Sequence, residues 1–478
     1  MKVLVASLYE LGHQPLSSLA LAGALASAGH ETEVFDYDRA GSGDVLSSLQ
    51  GHDALVISVP MHTASAIALG LIQSAYAQHP ELPVALFGLY AVNLAQADLP
   101  PTVGLLASGE TISDILDWID GLCRTGAESA GGPRSVTRNR EMRALEPPAL
   151  DRSLLPPLSA YAKLSVGGVE RLTGYTEATR GCMHSCSHCP VPTVYQGRIR
   201  INKPEWVLAD IDQLVSMGAA HITFGDPDFF NAPPHSMRIL KAMHATYPDL
   251  TFDATIKVEH LLEHAHLLPE LVELGCAFIV SAFEHTSDEV LERLRKGHTR
   301  SQMAEAVRAC RAVGIELRPS LLPFTPWTTP ADLVGLFEFV QDQELISNVD
   351  PIQFTIRLLV PAGSLLLEDQ QTRALFARSH EDALSYSWKS PWQELDGLQR
   401  ALADHLPGWL ESLETWEIFD QMYRLTCSRL GFVAKDFDYS AELDRNVPKL
   451  TESWFCCAEP AETMIIAPVQ LPRRAVAL

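Results

Sequence analysis

Arg180-Gly181-Cys182-Met183-His184-Ser185-Cys186-Ser187-His188-Cys189-Pro190 sets three thiols within eight residues, directly after a strand read near Thr176–Arg180. Working outward from it, further strands are read near His221–Gly225, Thr251–Ile256, Ala277–Phe283, Ile315–Leu321 and Ile352–Leu358. Helical composition lies between them, roughly over 204–217, 234–246, 259–274, 300–313 and 330–342. Strands alternating with helices build a mostly parallel sheet, and this series predicts an open (β/α)6 barrel. In such folds chemistry gathers at the carboxyl ends of the strands. The cysteine loop leaves the first of those ends.

Before the barrel, residues 1–125 form another alternating series. Lys2–Leu8, Thr32–Tyr37, Asp53–Val59 and Pro83–Gly88 read as short apolar strands, and Pro15–Ala28 and Thr111–Leu122 as helices. Near-continuous apolar strands between helices predict a doubly wound parallel sheet. No strict G-x-G-x-x-G is present, so a dinucleotide fingerprint is absent. Residues 126–165 carry Gly131-Gly132-Pro133, Pro147-Pro148 and Pro156-Pro157 and read as a linker. The barrel is expected over 166–360. A mostly helical region is expected over 361–478, with helices near Trp392–His405 and Glu414–Leu430.

The chain has 478 residues, 47% hydrophobic and 20% charged, enough apolar matter for several cores. The charge sum is 36 − 59 = −23, which disfavours generic nucleic-acid binding. No stretch reaches the ~20 apolar residues needed to span a bilayer. Leu16–Ala28 lacks a basic region directly before it, so it reads as mature structure and not as a signal peptide. The nine cysteines show no regular disulfide spacing. A reducing, cytoplasmic setting with metal or redox use for some of them is expected.

Thiolates are soft ligands that suit iron–sulfur clusters or zinc. A structural zinc site wants four ligands, usually as two separated pairs. Three closely spaced cysteines without a partner pair fit a four-iron cluster with one open iron. The alternatives are a zinc knuckle completed by His184 or His188, or three unconnected thiols. Gly181 and Pro190 permit a tight loop.

The spacing Cys182-x3-Cys186-x2-Cys189 after a first barrel strand resembles the radical S-adenosylmethionine superfamily. That resemblance implies a [4Fe–4S] cluster on Cys182, Cys186 and Cys189. Its fourth iron would chelate the amino and carboxylate groups of S-adenosylmethionine, and reduction would release a 5′-deoxyadenosyl radical. The family usually has an aromatic where His188 stands, a departure at the expected adenine contact. Gly225 and Asp226, in Phe224-Gly225-Asp226-Pro227-Asp228-Phe229-Phe230, look like the segment supporting the methionyl amino group. Glu284 resembles the acidic residue ending the fourth strand, and Lys296-Gly297-His298-Thr299 follows it as in many members with an N-terminal cobalamin-like domain. Arg318 is expected near the cofactor carboxylate or ribose. The plainer readings are a helix cap at Asp226 or Asp228 and a salt bridge at Glu284.

A doubly wound domain ahead of such a barrel is similar to the cobalamin-binding domain of a large subgroup. Gly88 and Ser108-Gly109-Glu110 stand where that subgroup has its Gly-rich loop and acidic turn, while a D-x-H-x-x-G motif is missing. Cobalamin is therefore an expected cofactor, against an inherited domain that no longer binds corrin. Cys456-Cys457-Ala458-Glu459-Pro460 resembles the tail of a small radical S-adenosylmethionine group named for CUAEP or CCAEP, in whose selenium versions selenocysteine would match Cys457. Cys456 and Cys457 are accordingly candidates for catalysis by thiol exchange or soft-ligand chemistry, against two small buried side chains.

Cys123, Cys276, Cys310 and Cys427 are expected in the core. His260 and His264, at i and i+4, read as a solvated helix face in preference to a metal pair. The reading that results is a radical S-adenosylmethionine enzyme acting on a small molecule or peptide, with cobalamin-dependent methylation among the expected reactions. It would use a reductant such as flavodoxin or ferredoxin and engage neither nucleic acid nor membrane. The alternatives are tRNA or protein methylthiotransfer, which needs a second cysteine triplet where only Cys123 stands, and a non-enzymatic zinc protein.

Overall fold

The computed structural model describes residues 1–40, 42–125, 134–139, 148–378, 384–443 and 445–452. By contacts the chain divides into two compact units, one built on Met1–Tyr161 and one beginning at Ala162.

The first unit is a six-stranded parallel sheet of β1 (Lys2–Ser7), β2 (Glu31–Asp36), β3 (Ala54–Ser58), β4 (Val84–Phe87), β5 (Val103–Gly109) and β6 (Ser135–Asn139). Its order is β2-β1-β3-β4-β5-β6. Val3, Val5, Ala54, Val56, Ala85, Phe87, Leu105 and Ala107 line one face. They pack on Leu21 and Leu25 of helix Leu16–Ser27 and on Ile115 and Ile119 of helix Ile112–Thr125. Residues of opposite parity, Leu4, Leu55, Ile57, Leu86 and Leu106, are equally buried. Burial on both faces explains why these strands read as unbroken apolar runs. Two strands had no counterpart in the sequence reading. β5 was not read as a strand, and β6 comes from the stretch read as linker.

The order reverses at β1 and β3, and the loops leaving such strands form a crevice at the carboxyl edge. That edge is lined by short side chains. Glu10 accepts hydrogen bonds there from Ser7 Oγ (3.3 Å) and Ser58 Oγ (3.2 Å), and Ser108 Oγ donates to the Gly88 carbonyl (2.7 Å). Gly88 has φ +115°, and a Cβ there would meet the Val59 carbonyl oxygen at 2.6 Å. Gly88→Ala is therefore expected to cost about 2–4 kcal/mol, measured by denaturant unfolding.

The second unit holds a seven-stranded sheet. β8 (Val169–Thr176), β11 (His221–Phe224), β12 (Thr251–Thr255), β13 (Cys276–Glu284) and β14 (Glu316–Leu321) run parallel in that order. β7 (Lys163–Val166) and Lys449–Leu450 add antiparallel at the β8 side. Helices Pro204–Ser216, Pro233–Thr246, Arg300–Val313 and Pro330–Asp342 lie where the sequence pattern puts them. The expected helix over 259–274 is divided into Val258–Glu263, a 3-10 turn and Leu268–Glu273, with Pro269 in the first turn of the last piece.

The expected sixth parallel strand, Ile352–Leu358, is instead a 3-10 turn over Pro351–Thr355, and Arg357 alone bridges to Phe324. Side chains from this segment fasten the edge of β14. Gln353 Oε1 accepts from Leu321 N (3.1 Å), Asn348 Nδ2 donates to Leu317 O (3.0 Å), and Asp350 pairs with Arg318 (2.6 Å). Unpaired edge groups are thereby satisfied without a further strand. Beyond it lie helices Gln393–Ser412 and Thr415–Leu430. None of the described helices is long and apolar enough to cross a membrane.

Candidate cluster site at the mouth of the half-barrel

β8 ends at Thr176, six residues before the first thiol. The intervening chain forms a short hairpin, β9 (Thr179–Gly181) with β10 (Ile199–Ile201). Gly181 has φ +83°, and a Cβ there would meet the Arg198 carbonyl oxygen at 2.4 Å, so only glycine admits the close crossing that opens the loop. The loop is pinned at both ends. Asp226 accepts from Ala178 N (2.9 Å), Thr179 N (2.6 Å) and Thr179 Oγ1 (2.6 Å). Ser187 N donates to Leu294 O (2.9 Å) and Ser187 Oγ to Arg293 O (2.8 Å). Asn231 Oδ1 accepts from Met183 N at 3.2 Å and lies 4.0 Å from Cys182 Sγ.

Cys182 and Cys186 are buried and Cys189 half-buried. Burial pushes the Cys182 thiol up to about 11, so its thiolate form needs a cation to stabilise it. Among the described residues the one group of three ligand atoms within 4.8 Å of one another is His184, Asp228 and His260. A tetrahedral zinc with Zn–S bonds of ~2.3 Å would bring its thiolates inside that limit. A cube would instead give each thiolate its own iron.

The expected partners fall into two groups. Asp226 has both oxygens engaged by the 178–179 segment, so it shapes the approach to the cysteines. Burial pushes its carboxyl up to about 7 against the pull of those hydrogen bonds. Gly225 lies under Tyr175, whose hydroxyl would stand 1.9 Å from an added Cβ. Glu284, fully buried, closes β13 in the left-handed region at φ +62°. Its Oε1 sits 3.2 Å from His188 Nε2 and 3.1 Å from Lys296 Nζ. Burial alone would raise this carboxyl, but the Lys296 and His188 charges outweigh it and hold it well below the usual range. His188 thus joins the cysteine loop to the end of β13. A strained non-glycine backbone at a strand terminus is characteristic of functional sites.

Arg318 is 2% exposed, paired with Asp350 and 5.9 Å from the Phe278 ring centroid. Its Nη1 has no hydrogen-bond partner among the described residues. Cys456 and Cys457 lie outside the described residues. Of the cysteines expected in the core, Cys310 and Cys427 are buried, Cys276 is half-buried and Cys123 is exposed.

Two further residues, read from the sequence as a helix cap and as part of a solvated helix face, converge at the loop. Asp228 is fully buried in the loop after β11, and His260 is 8% exposed. The solvated-face reading of His260 fails because the helix from Val258 packs this ring inward against His184, with centroids 4.8 Å apart. Asp228 lies two positions beyond Asp226, a spacing that gave the sequence's only hint.

Residues 176–340 match the family model described as the radical SAM superfamily. The second unit therefore carries a radical SAM domain. Within 177 residues the chain is 27% identical to the ribosomal protein uS12 methylthiotransferase RimO of Porphyromonas gingivalis. Over 185 residues it is 25% identical to RimO of Clostridium botulinum. These matches take in 35% and 36% of this chain and 41% of either relative, so the chain spans about two fifths of their length. Among solved structures, the cobalamin-dependent S-adenosylmethionine radical enzyme OxsB, with aqua-cobalamin and S-adenosylmethionine bound, superposes with a TM-score of 0.65 at 13% identity. That match covers 90% of this chain and 72% of OxsB. The likeness runs through both units and concerns the fold.

Proposed function

We propose that this chain is a radical S-adenosylmethionine enzyme whose cluster is held by Cys182, Cys186 and Cys189. The observation that carries it is the pinned three-thiol loop at the carboxyl end of the first parallel strand, with Glu284 and His188 closing it from β13. When bound, a [4Fe–4S] cluster with one open iron supplies the electron that splits the sulfonium of S-adenosylmethionine. The chain's own parts are positional. Asp226 fixes the backbone entering the loop, Ser187 fixes its exit, and Lys296 holds Glu284 ionised beside His188. Glu284, His188 and Arg318 Nη1 are the polar groups assigned to S-adenosylmethionine, with Gly225 allowing Tyr175 to close over the strand end. The electron enters from a low-potential donor of the flavodoxin or ferredoxin kind. Cys456 and Cys457 are assigned to substrate handling by thiol chemistry.

The first unit is assigned to cobalamin. Its strand order, its switch point between β1 and β3, and the short side chains at Ser7, Ser58, Gly88 and Ser108 suit an extended ligand entering from the carboxyl edge. The likeness to OxsB over 90% of the chain supports this. A methylated small molecule or peptide is then the product class. Methylthiotransfer is less well supported, because the relatives of that name match only 35% of this chain and Cys123 is the single cysteine before Cys182.

Anaerobic reconstitution with iron, sulfide and hydroxocobalamin tests both parts. About four irons and about one cobalt per chain are expected, with 5′-deoxyadenosine formed on adding S-adenosylmethionine and reductant. Nucleoside release without retained cobalt removes the corrin assignment and keeps the rest.

A further inference from the structure

Asp228, His184 and His260 form a polar centre that neither the cluster nor S-adenosylmethionine cleavage uses. His260 Nδ1 lies 2.7 Å and His184 Nε2 3.4 Å from the same oxygen, Asp228 Oδ2. These are close ion-pair contacts, yet among the described residues none of the three atoms has a well-aligned hydrogen bond. Neither imidazole is aligned on the carboxylate; all three atoms converge on a shared space. Asp228 is fully buried and the His260 side chain is 10% exposed, so water is a poor substitute. Two imidazoles crowded on one buried carboxylate oxygen leave the set short of well-aligned partners, which a bound cation would supply.

We propose that His184, Asp228 and His260 bind one divalent first-row transition-metal ion of the zinc type. Two imidazoles and one carboxylate form a common donor set for such ions. Ligand atoms with bonds of ~2.1 Å stand ~3.0–3.4 Å apart in octahedral or tetrahedral sites, close to the spacing here. The supporting contacts are of the expected sort. Glu259 Oε2 lies 3.6 Å from His184 Nδ1, the ring nitrogen left over, and Asp228 Oδ1 is held by Phe230 N at 3.1 Å. The His264 ring is 5.8 Å from His260, and His264 lines a surface pocket with His266, Met237 and Pro233. Three protein ligands leave at least one position for water or a substrate donor atom. His184 stands between two of the cluster cysteines, so the ion would tie their loop to the end of β11.

The site is independent of the cluster assignment and is read by a different metal. Full-length protein, reconstituted anaerobically with iron and sulfide, is equilibrated with zinc chloride and passed through a desalting column. Iron and zinc are then counted together. About one zinc per chain beside an undiminished iron content is expected, falling at least about tenfold in both His260→Ala and His260→Gln with iron unchanged. Wild-type protein that retains no zinc overturns the proposal. So does zinc that persists in both variants, or zinc gained only as iron is lost, which would put the ion on the cysteines.

Discussion

Cys186→Ala is expected to remove the iron–sulfur absorption and lower 5′-deoxyadenosine formation by at least about a hundredfold, measured by chromatography under anaerobic reduction. The effect should be chemical and not a collapse of the fold. Ser187 and Asp226 hold the loop through backbone contacts that do not involve the thiols. Cys182→Ala and Cys189→Ala should behave alike, because in the proposed ligation each thiolate serves a separate iron. Loss of cleavage with an unchanged circular-dichroism spectrum is the expected pair of results. Retained cleavage in Cys186→Ala would sink the cluster assignment.

Glu284→Gln carries the largest expected loss of stability. The substitution keeps the shape but removes the carboxylate charge that lies 3.1 Å from Lys296, which is 3% exposed. Breaking a buried ion pair by removing one partner costs about 3–5 kcal/mol. For a unit of this size that lowers the melting temperature by on the order of 10 °C. The pH dependence has a definite sign. The folded carboxyl titrates well below its ordinary value of 4.5, so its contribution is complete above that value. It fades as pH falls through the folded value. The stability gap between wild type and Glu284→Gln should therefore be constant near neutrality and narrow below about pH 4.5. A gap that widens on acidification would show that Glu284 is not held ionised by Lys296 and His188.

The cysteine triplet and the alternation of strands and helices could be read from the chain because they are local. Helices such as Arg300–Val313 and Pro330–Asp342 announce themselves by Thr299 and Thr329, each of which closes a capping box. What sequence could not supply is convergence. His184, Asp228 and His260 come from three different segments, and only the curvature of the sheet brings them together. Glu284 was legible as an acidic strand terminus, whereas its left-handed backbone and its Lys296 partner were not. The missing sixth strand misled for a related reason. Ile352–Leu358 has strand composition, but Gln353, Asn348 and Asp350 make the edge contacts through side chains. Apolar pattern alone cannot distinguish that from a ladder.

That substitution of side-chain fastenings for a ladder has an evolutionary consequence. A ladder demands register, so an insertion within it displaces every following residue to the opposite face. Three side-chain attachments and the single backbone bridge of Arg357 to Phe324 demand far less. The segment downstream of β14 can therefore change in length between these attachments, up to Ser364, whose Oγ donates to the Ser187 carbonyl of the cysteine loop (3.4 Å). Such an arrangement lets one radical-generating scaffold be fitted to new compounds by rebuilding a single flank.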